Sequence, residues 1–275
     1  MKAAFGTLAC PERSAGEFFD LAERTGIREI EVRLDRENRL FGCAKEEIPA
    51  LRREMMARGL HIPDLGTGIS VDHDRAELLP QIDACASLAA EIGARGIRVF
   101  LGNGMSRFSE PVARDTEGVA ALLKKGAELA GAYGVEIWLE THSNFSTGAS
   151  VGEVLERADR PELKVLWDVL HSVEFGETPE KTVKILGDRI VHLHLKDGKR
   201  PADPDTVAYR LTRIGEGDLP FGALAEALKH IRYDGLLSLE WEAQWHPELK
   251  TLFPSDDALL TDYLSFIKKY FPVEA

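Results

Sequence analysis

The 275-residue sequence has little cysteine, no excess of basic residues and no long apolar run. Its three cysteines, Cys10, Cys43 and Cys85, lack paired spacing, so we expect reduced thiols rather than disulfides or a zinc knuckle. The 34 Lys and Arg against 46 Asp and Glu give a formal net charge of −12, which argues against a nucleic-acid partner. No segment approaches the roughly 18 apolar residues of a membrane span, so no membrane partner is expected.

The sequence also has no Pro- or Ser-rich linker and no shift in composition along its length. We therefore predict one domain over residues 1–275. The N-terminal segment has one Lys and too short an apolar run for a secretory signal, which predicts a cytoplasmic protein. With 44% hydrophobic and 29% charged residues, the chain can bury a large core, and this composition excludes a disordered or fibrous protein.

Short apolar segments alternate with longer helical patterns along the chain. The predicted strands are 2–9, 28–34, 61–67, 97–102, 135–141, 164–170, 189–196 and 236–242. The predicted helices are 14–25, 45–58, 75–94, 115–133, 150–158, 179–186, 221–232 and 256–270. This alternation favours parallel strands joined by right-handed crossovers, and eight such units can close without an exposed edge. The predicted fold class is α/β, a single (β/α)8 TIM barrel.

Glycine marks five of the junctions between a predicted helix and the next strand: Gly26, Gly59, Gly96, Gly134 and Gly235. A glycine just past a helix adopts the left-handed conformation at little cost. We therefore expect each of these glycines to end a helix.

Polar and apolar residues alternate in three predicted strands. The odd positions of 29–35 and the even positions of 191–196 and 237–242 are mostly polar. A period of two places each polar set on one face of its strand. An antiparallel sheet with one face in water would show the same alternation, but the intervening helices favour a closed parallel barrel. The polar faces are then expected to point into the barrel lumen.

Three acidic residues and a histidine end the last four predicted strands: Glu140, Asp168, His194 and Glu240. Taken singly, each is better explained by a solvated loop position or a structural hydrogen bond. Adjacent strand ends of a barrel would bring all four to one mouth, where the carboxylates would repel one another without a cation. Three carboxylates and one imidazole suit Mn²⁺, Mg²⁺ or Co²⁺, and Zn²⁺ also fits. The sequence thus predicts one divalent metal site, with Mn²⁺ favoured.

Further polar residues lie near the predicted mouth. Arg33 ends the second predicted strand and could bind a substrate carboxylate or phosphate, with an ion pair to Glu31 as an equal alternative. His142 is a candidate for orienting substrate hydroxyls. Lys196 is a candidate substrate contact that could also, with Asp197, support the neighbouring histidine ligand.

Two lumen-side residues are expected to play lesser roles. His192 lies one layer deeper than His194, which favours a structural role. Glu242 lies past the last predicted strand and is expected at the rim of the site.

Five segments of the sequence resemble the xylose isomerase-like barrels of the sugar phosphate isomerase/epimerase family. They are LETH at 139–142, WDVLHSVEFGETPE at 167–180, VHLHLKD at 191–197, GEGDLPF at 215–221 and YDGLLSLEWE at 233–242. The resemblance implies that Glu140, Asp168, His194 and Glu240 ligate the metal. It also makes His171 the counterpart of a substrate-contacting histidine and Arg200 the counterpart of a substrate-binding arginine in ketose epimerases.

The sequence departs from two branches of this family. Related endonucleases add histidine ligands from the third and fourth strands, whereas the fourth strand here ends in FLGNG at 100–104, and His61 would lie at the opposite end of the third. A nuclease is therefore disfavoured, in agreement with the acidic charge. Ser146 stands where the ketose epimerases carry an acidic substrate contact, which leaves the sugar specificity open.

The resemblance implies an enzyme that abstracts a proton next to a carbonyl, through an enediolate, with Glu140 and Glu240 as base and acid. We expect a metal-dependent isomerase or epimerase of a small sugar, keto-sugar or sugar phosphate. The alternative is a dehydratase of an inosose or a dehydroshikimate-like acid on the same barrel. A binding protein without activity would need a broken ligand set. The expected partner is a small polyhydroxy molecule, and a homo-oligomer is compatible with the sequence.

Overall fold

A computed structural model describes residues 1–72, 75–102, 114–203 and 208–273. Eight parallel strands close into one barrel in the order β1-β10-β7-β6-β5-β4-β3-β2. They are β1 (Lys2–Gly6), β2 (Glu29–Arg33), β3 (Asp64–Ser70), β4 (Gly96–Phe100), β5 (Glu136–Glu140), β6 (Leu163–Asp168), β7 (Ile190–Leu195) and β10 (Leu236–Leu239). The predicted TIM barrel is confirmed.

The helices lie between successive strands and cover the barrel. They are α1 (Ala15–Thr25), α2 (Ile48–Ala57), α3 (Leu78–Ile92), α4 (Thr116–Ala132), α5 (Gly148–Ala158), α6 (Val169–Glu174), α7 (Pro179–Leu186), α8 (Phe221–His230) and α9 (Asp256–Ile267). All eight predicted helices are present. Within the described ranges, no helix has both the length and the apolar composition that crossing a bilayer requires.

Two elements were not expected from the sequence. Helix α6 follows β6 directly, where the strand was predicted to continue to residue 170. A short antiparallel hairpin of β8 (Asp197–Lys199) and β9 (Arg210–Thr212) lies after β7, where no strand was predicted. Both elements stand at the mouth end of the barrel, so the missed structure belongs to the surroundings of the candidate site.

The glycine prediction is correct for three junctions and wrong for two. Gly26, Gly59 and Gly134 have positive φ angles of 77°, 64° and 71° and follow helices. Gly96 lies within a strand, and α3 ends instead at Gly93, whose φ is 89°. A Cβ atom at Gly96 would lie 2.5 Å from the ring of Trp138, so glycine is needed there for close packing. Gly235 likewise has no room for a side chain beside the Tyr233 hydroxyl.

The lumen is layered from an apolar end to a polar mouth. Ala4, Trp138, Leu166 and Leu236 form a small buried cluster of their own. Beyond it, the lumen positions of the strands become polar and charged, while their alternate positions, such as Ile30 and Val32 of β2, are fully buried under the helices. The polar layer therefore follows from the period-two pattern, and it opens at the carboxyl ends of the strands, where TIM barrels carry their active sites.

Candidate active site and metal centre

The four residues predicted as ligands meet at the carboxyl ends of β5, β6, β7 and β10. One potential ligand atom each from Glu140, Asp168, His194 and Glu240 lies within 4.8 Å of the others. The first three side chains are buried and that of Glu240 is partly accessible. We call this group the four-ligand cluster. Its accessible member faces the side from which a substrate would enter.

The imidazole of His194 is held by a carboxylate from across the barrel. Its Nε2 lies 2.9 Å from Oε2 of Glu31 on β2, and Oγ of Ser238 donates to the same oxygen over 3.0 Å. This contact leaves Nδ1 facing Glu140 Oε1 at 3.6 Å and Glu240 Oε2 at 3.4 Å. The alternation in the sequence places Glu31 on the lumen face of its strand, but it does not identify His194 as the partner of Glu31.

The donor set fits a divalent cation. Nδ1 of His194 is buried and has no hydrogen-bond partner among the described residues. An orphaned imidazole nitrogen that faces two carboxylates within 3.6 Å is the arrangement a metal ion would satisfy. Oxygen and imidazole ligands without a thiolate suit Mn²⁺, Mg²⁺, Co²⁺ or Zn²⁺. Glu140, Asp168, His194 and Glu240 would hold such an ion.

Arg98 is a buried part of the site that sequence reasoning missed. It is 5% exposed, and its guanidinium donates to Glu140 Oε2 over 2.7 Å and to the Thr67 carbonyl over 2.9 Å. Burial raises the pKa of Glu140, but the charge of Arg98 and the contact with His194 together outweigh burial and lower that pKa to about 2. The available signal was a lone charge within the apolar segment GIRVF of β4.

Lys196 lies among the ligand carboxylates rather than behind His194. Its Nζ is 2.7 Å from Asp168 Oδ2, 2.7 Å from Glu240 Oε2 and 3.5 Å from Glu242. Burial would lower the pKa of Lys196, but Asp168 and Glu240 raise it well above its ordinary value. The amine is therefore a fixed positive charge beside the ligands, and Glu242 lies at the rim as expected.

Asp197 has a separate role in shaping the mouth. Its carboxylate accepts hydrogen bonds from backbone N–H groups of Gly198, Gly215, Gly217 and Leu219, at 2.8 to 3.2 Å. It thereby ties the end of β7 to the segment that leads into α8. The predicted pairing of Lys196 with Asp197 is therefore wrong. Lys196 contacts the ligand carboxylates, whereas Asp197 holds backbone groups of the mouth.

Two further histidines line the site. His171 of α6 is 2% exposed, with Nε2 at 3.2 Å from Asp168 Oδ2 and Nδ1 at 3.0 Å from Glu174 Oε2. His142 is partly accessible, and its ring packs against Phe100 and His171 with centroid distances of 4.6 and 5.0 Å. Burial lowers the pKa of His142 to about 4, so its imidazole is neutral near pH 7. Both rings lie beside the cluster, and their substrate contacts stay predictions.

His192 lies one layer below the cluster, as its position in the sequence indicated. It is fully buried, with Nδ1 at 3.3 Å from Asp64 Oδ1 and Nε2 at 3.7 Å from Glu31 Oε2. Its ring meets that of His194 at right angles, with centroids 5.2 Å apart. These contacts favour a structural role for His192, which packs beneath His194 and holds its ring in place.

Two predicted arginines lie at the surface of the mouth. Arg33 ends β2 and its guanidinium carbon is 4.8 Å from the ring centroid of Trp245. Arg200 is exposed beyond β8, and its Nε donates to the Tyr209 hydroxyl over 3.0 Å. Arg200 forms no ion pair with the four-ligand cluster among the described residues, and its role in binding substrate stays a prediction.

Comparison with known proteins agrees with this architecture. A family model described as xylose isomerase-like TIM barrel matches residues 19–269. The chain belongs to this family. The matched range includes every strand that supplies the four-ligand cluster.

Relatives of this xylose isomerase-like barrel have different activities. A 3-dehydroshikimate dehydratase of Bacillus anthracis is 30% identical over 185 residues, which cover 63% of this chain and 65% of that protein. The chain spans between 41 and 65% of the lengths of the curated relatives it matches.

Solved structures share the fold at lower identity. L-ribulose 3-epimerase superposes with a TM-score of 0.78 at 20% identity, covering 98% of this chain and 94% of that one. The IolI protein, solved with a bound zinc atom, superposes with a TM-score of 0.82 at 17% identity, covering 99% of this chain and all of that one. The barrel fold of this chain is therefore shared with an epimerase and with a protein solved with bound zinc.

Proposed function

We propose that this xylose isomerase-like barrel is a divalent-metal-dependent isomerase or epimerase of a small sugar, keto-sugar or sugar phosphate. The observation that carries the proposal is the convergence of Glu140, Asp168, His194 and Glu240 at the barrel mouth. These donors suit one divalent ion, for which Mn²⁺ is our first choice and Mg²⁺, Co²⁺ or Zn²⁺ are alternatives. When bound, such an ion supplies Lewis-acid polarisation of a substrate carbonyl.

Glu140 and Glu240 are proposed as the groups that move the proton. Each has its own cationic partner, Arg98 for Glu140 and Lys196 for Glu240, both at 2.7 Å. Burial raises the pKa of Glu240, but Lys196 and His194 lower it well below its ordinary value. Both groups are thus ionised near pH 7 and able to accept a proton from the carbon next to a carbonyl.

The same enediolate leads to three reactions. Return of the proton to the neighbouring carbon gives isomerisation. Epimerisation results when the other carboxyl group, after taking up a proton from solvent, delivers it to the opposite face of the carbon that lost its proton. Loss of a β-hydroxyl gives dehydration. Isomerisation or epimerisation is the main proposal, with two flanking carboxylates in its support.

Dehydration is the second candidate. It is favoured by the 30% identity to a 3-dehydroshikimate dehydratase over 185 residues. The proposed substrate would then be an inosose or a dehydroshikimate-like acid, and the metal site and the base would be unchanged. Formation of an unsaturated product with release of water separates this reaction from the main proposal.

Solvent deuterium exchange tests the shared first step. The metal-loaded protein would be incubated in D₂O with ketoses, ketose phosphates, inososes and hydroxypyruvate, and followed by NMR. We expect deuterium at a carbon next to a carbonyl, loss of exchange with EDTA and recovery with Mn²⁺. The product signals would then distinguish isomerase, epimerase and dehydratase. Absence of exchange with every substrate, despite bound metal, would contradict the proposal.

A further inference from the structure

Arg33 presents a cation to the mouth of the barrel. It is the last residue of β2 and lies, like Glu29 and Glu31, at an alternate position that faces the lumen. Its backbone N–H donates to Thr7 Oγ1 over 3.0 Å, which fixes the end of the strand beside β1. Its guanidinium stacks on the ring of Trp245, a residue that is 48% exposed. The aromatic face limits where the guanidinium can point and leaves its N–H edge available.

Glu240, Glu140 and Glu31 act on the charge of Arg33 only from beyond ion-pair distance. Glu31, the partner considered from the sequence, instead accepts hydrogen bonds from His194 and Ser238. In the part of the chain that the structure describes, no carboxylate lies within ion-pair distance of Arg33. The residue therefore has no structural ion pair that would explain its charge.

The surrounding charges disfavour a lone cation at this position. Arg33 keeps contact with solvent, yet the surrounding protein removes enough water to lower its pKa, and the charge of Arg98 lowers it further. The carboxylates of Glu140 and Glu240 act in the opposite sense, but each already has a cation at 2.7 Å. An added anion next to Arg33 would relieve the repulsion between the two guanidinium groups.

The position of Arg33 relative to the four-ligand cluster defines a direction for a substrate. Strands β2 and β10 both pair with β1, so Arg33 and the loop that carries Trp245 flank the end of β1. Three of the four ligands come from β5, β6 and β7, on the other side of the bore. A molecule with its carbonyl at the ligands would extend its far end towards Arg33.

We propose that Arg33, oriented by Trp245, binds a carboxylate or phosphate group of the substrate. The substrate class is then a polyhydroxy carbonyl compound that carries an anionic group at the end remote from the reacting carbon. This inference rests on the proposed function for the location of the reacting carbon, but anion binding at Arg33 can be measured by itself. A planar guanidinium with a free edge suits the two oxygens of either anion.

Binding of unreactive analogues tests the proposal. D-Arabinonate, D-arabinitol 5-phosphate and D-arabinitol have no aldehyde or ketone group and are not converted through an enediolate, so calorimetric titration of the Mn²⁺-loaded protein measures binding alone. We expect at least one anion to bind more tightly than D-arabinitol, and the tighter of the two identifies a carboxylate or a phosphate as the natural group. Arg33→Gln should weaken the binding of that anion by about 10- to 100-fold, which is the range expected for the loss of hydrogen bonds to a charged partner.

Two further variants make the test specific. Arg33→Lys keeps the charge without the planar edge and should give an intermediate loss. Arg39→Gln is the matched control, because Arg39 lies in the loop after β2 and pairs with Asp35 at 3.0 Å. Equal binding of D-arabinitol and both anions, or unchanged anion affinity in Arg33→Gln, would overturn the proposal. Anion binding that depends on Arg33, without deuterium exchange on any carbonyl substrate, would instead leave this site standing and refute the proposed function.

Discussion

Replacement of Glu31 should weaken metal binding although Glu31 lies outside the four-ligand cluster. Its Oε2 accepts from Nε2 of His194 at 2.9 Å, so Nε2 carries the proton and Nδ1 is left to face Glu140 and Glu240. Carboxylates that hold a ligand imidazole in this way typically contribute about 10- to 100-fold to metal affinity. Glu31→Gln retains a carbonyl acceptor of nearly the same shape but removes the charge.

The expected loss follows from the difference between the two hydrogen bonds. A hydrogen bond to a charged group contributes about 1.5–3 kcal/mol, and a neutral one about 0.5–1.5 kcal/mol. The difference of about 1–1.5 kcal/mol corresponds to a roughly tenfold weaker Kd for Mn²⁺ or Zn²⁺. Competition with a fluorescent chelator measures this Kd directly and does not require a substrate.

Glu29→Gln provides the matched control. Glu29 lies on the same face of β2, two residues earlier, and pairs with Lys2 at 2.6 Å at the other end of the barrel. The Glu29→Gln substitution should leave the affinity for the metal unchanged. In ¹⁵N NMR of the zinc-loaded protein, the His194 ring should carry its proton on Nε2. Wild-type affinity together with an unaltered ring signature in Glu31→Gln would refute the reasoning.

Three further results are expected. Glu140→Gln and Glu240→Gln should each abolish deuterium exchange while circular dichroism shows a folded barrel, and normal exchange in either variant would remove that residue from proton transfer. Burial raises the pKa of Cys10 to about 12 and that of Cys85 to about 11, so the neutral thiol persists and a disulfide reagent at pH 8 should label neither until the protein is denatured. Lys196→Gln should tighten metal binding, because a cation beside the ligands is lost, yet reduce the exchange rate. Weaker metal binding in Lys196→Gln would contradict the view that the Lys196 charge opposes the bound ion.

The fold could be predicted because its signal is repeated. Eight strand–helix units, with polar residues on one face of three strands, specify parallel pairing and an inward polar face before any contact is known. A single strand–helix unit would have been ambiguous. The four-ligand cluster could be predicted for a related reason, since a barrel places all strand ends in one ring.

Helix α6 was missed because its sequence continues the apolar pattern of β6. Val169 and Leu170, which follow Asp168, are both apolar and give no signal that the strand ends at Asp168. The local signal was Asp168 itself, whose side chain accepts from the backbone N–H of His171 over 3.2 Å and caps the helix. The same carboxylate is a candidate ligand, and its role as a cap was hidden by that stronger interpretation.

The charge pairs of the site could not be predicted from sequence. Arg98 and Glu140 are 42 residues apart, Lys196 and Glu240 are 44 apart, and His194 and Glu31 are 163 apart. Alternation shows that such side chains share the lumen, but the choice of partner depends on the register and tilt of the closed barrel. The sequence therefore predicted which residues gather at the mouth and not which of them neutralise one another.

The arrangement of these pairs bears on the chemistry. Three carboxylate ligands and one divalent ion would together carry a net negative charge, which would reduce the ability of the ion to polarise a carbonyl. Arg98 and Lys196 contact the ligand carboxylates from within the protein and offset part of that negative charge. Because both cations are buried, their charges are poorly screened by solvent. The two cations would therefore help a bound ion to polarise a carbonyl, because they draw charge away from the carboxylates that ligate the ion.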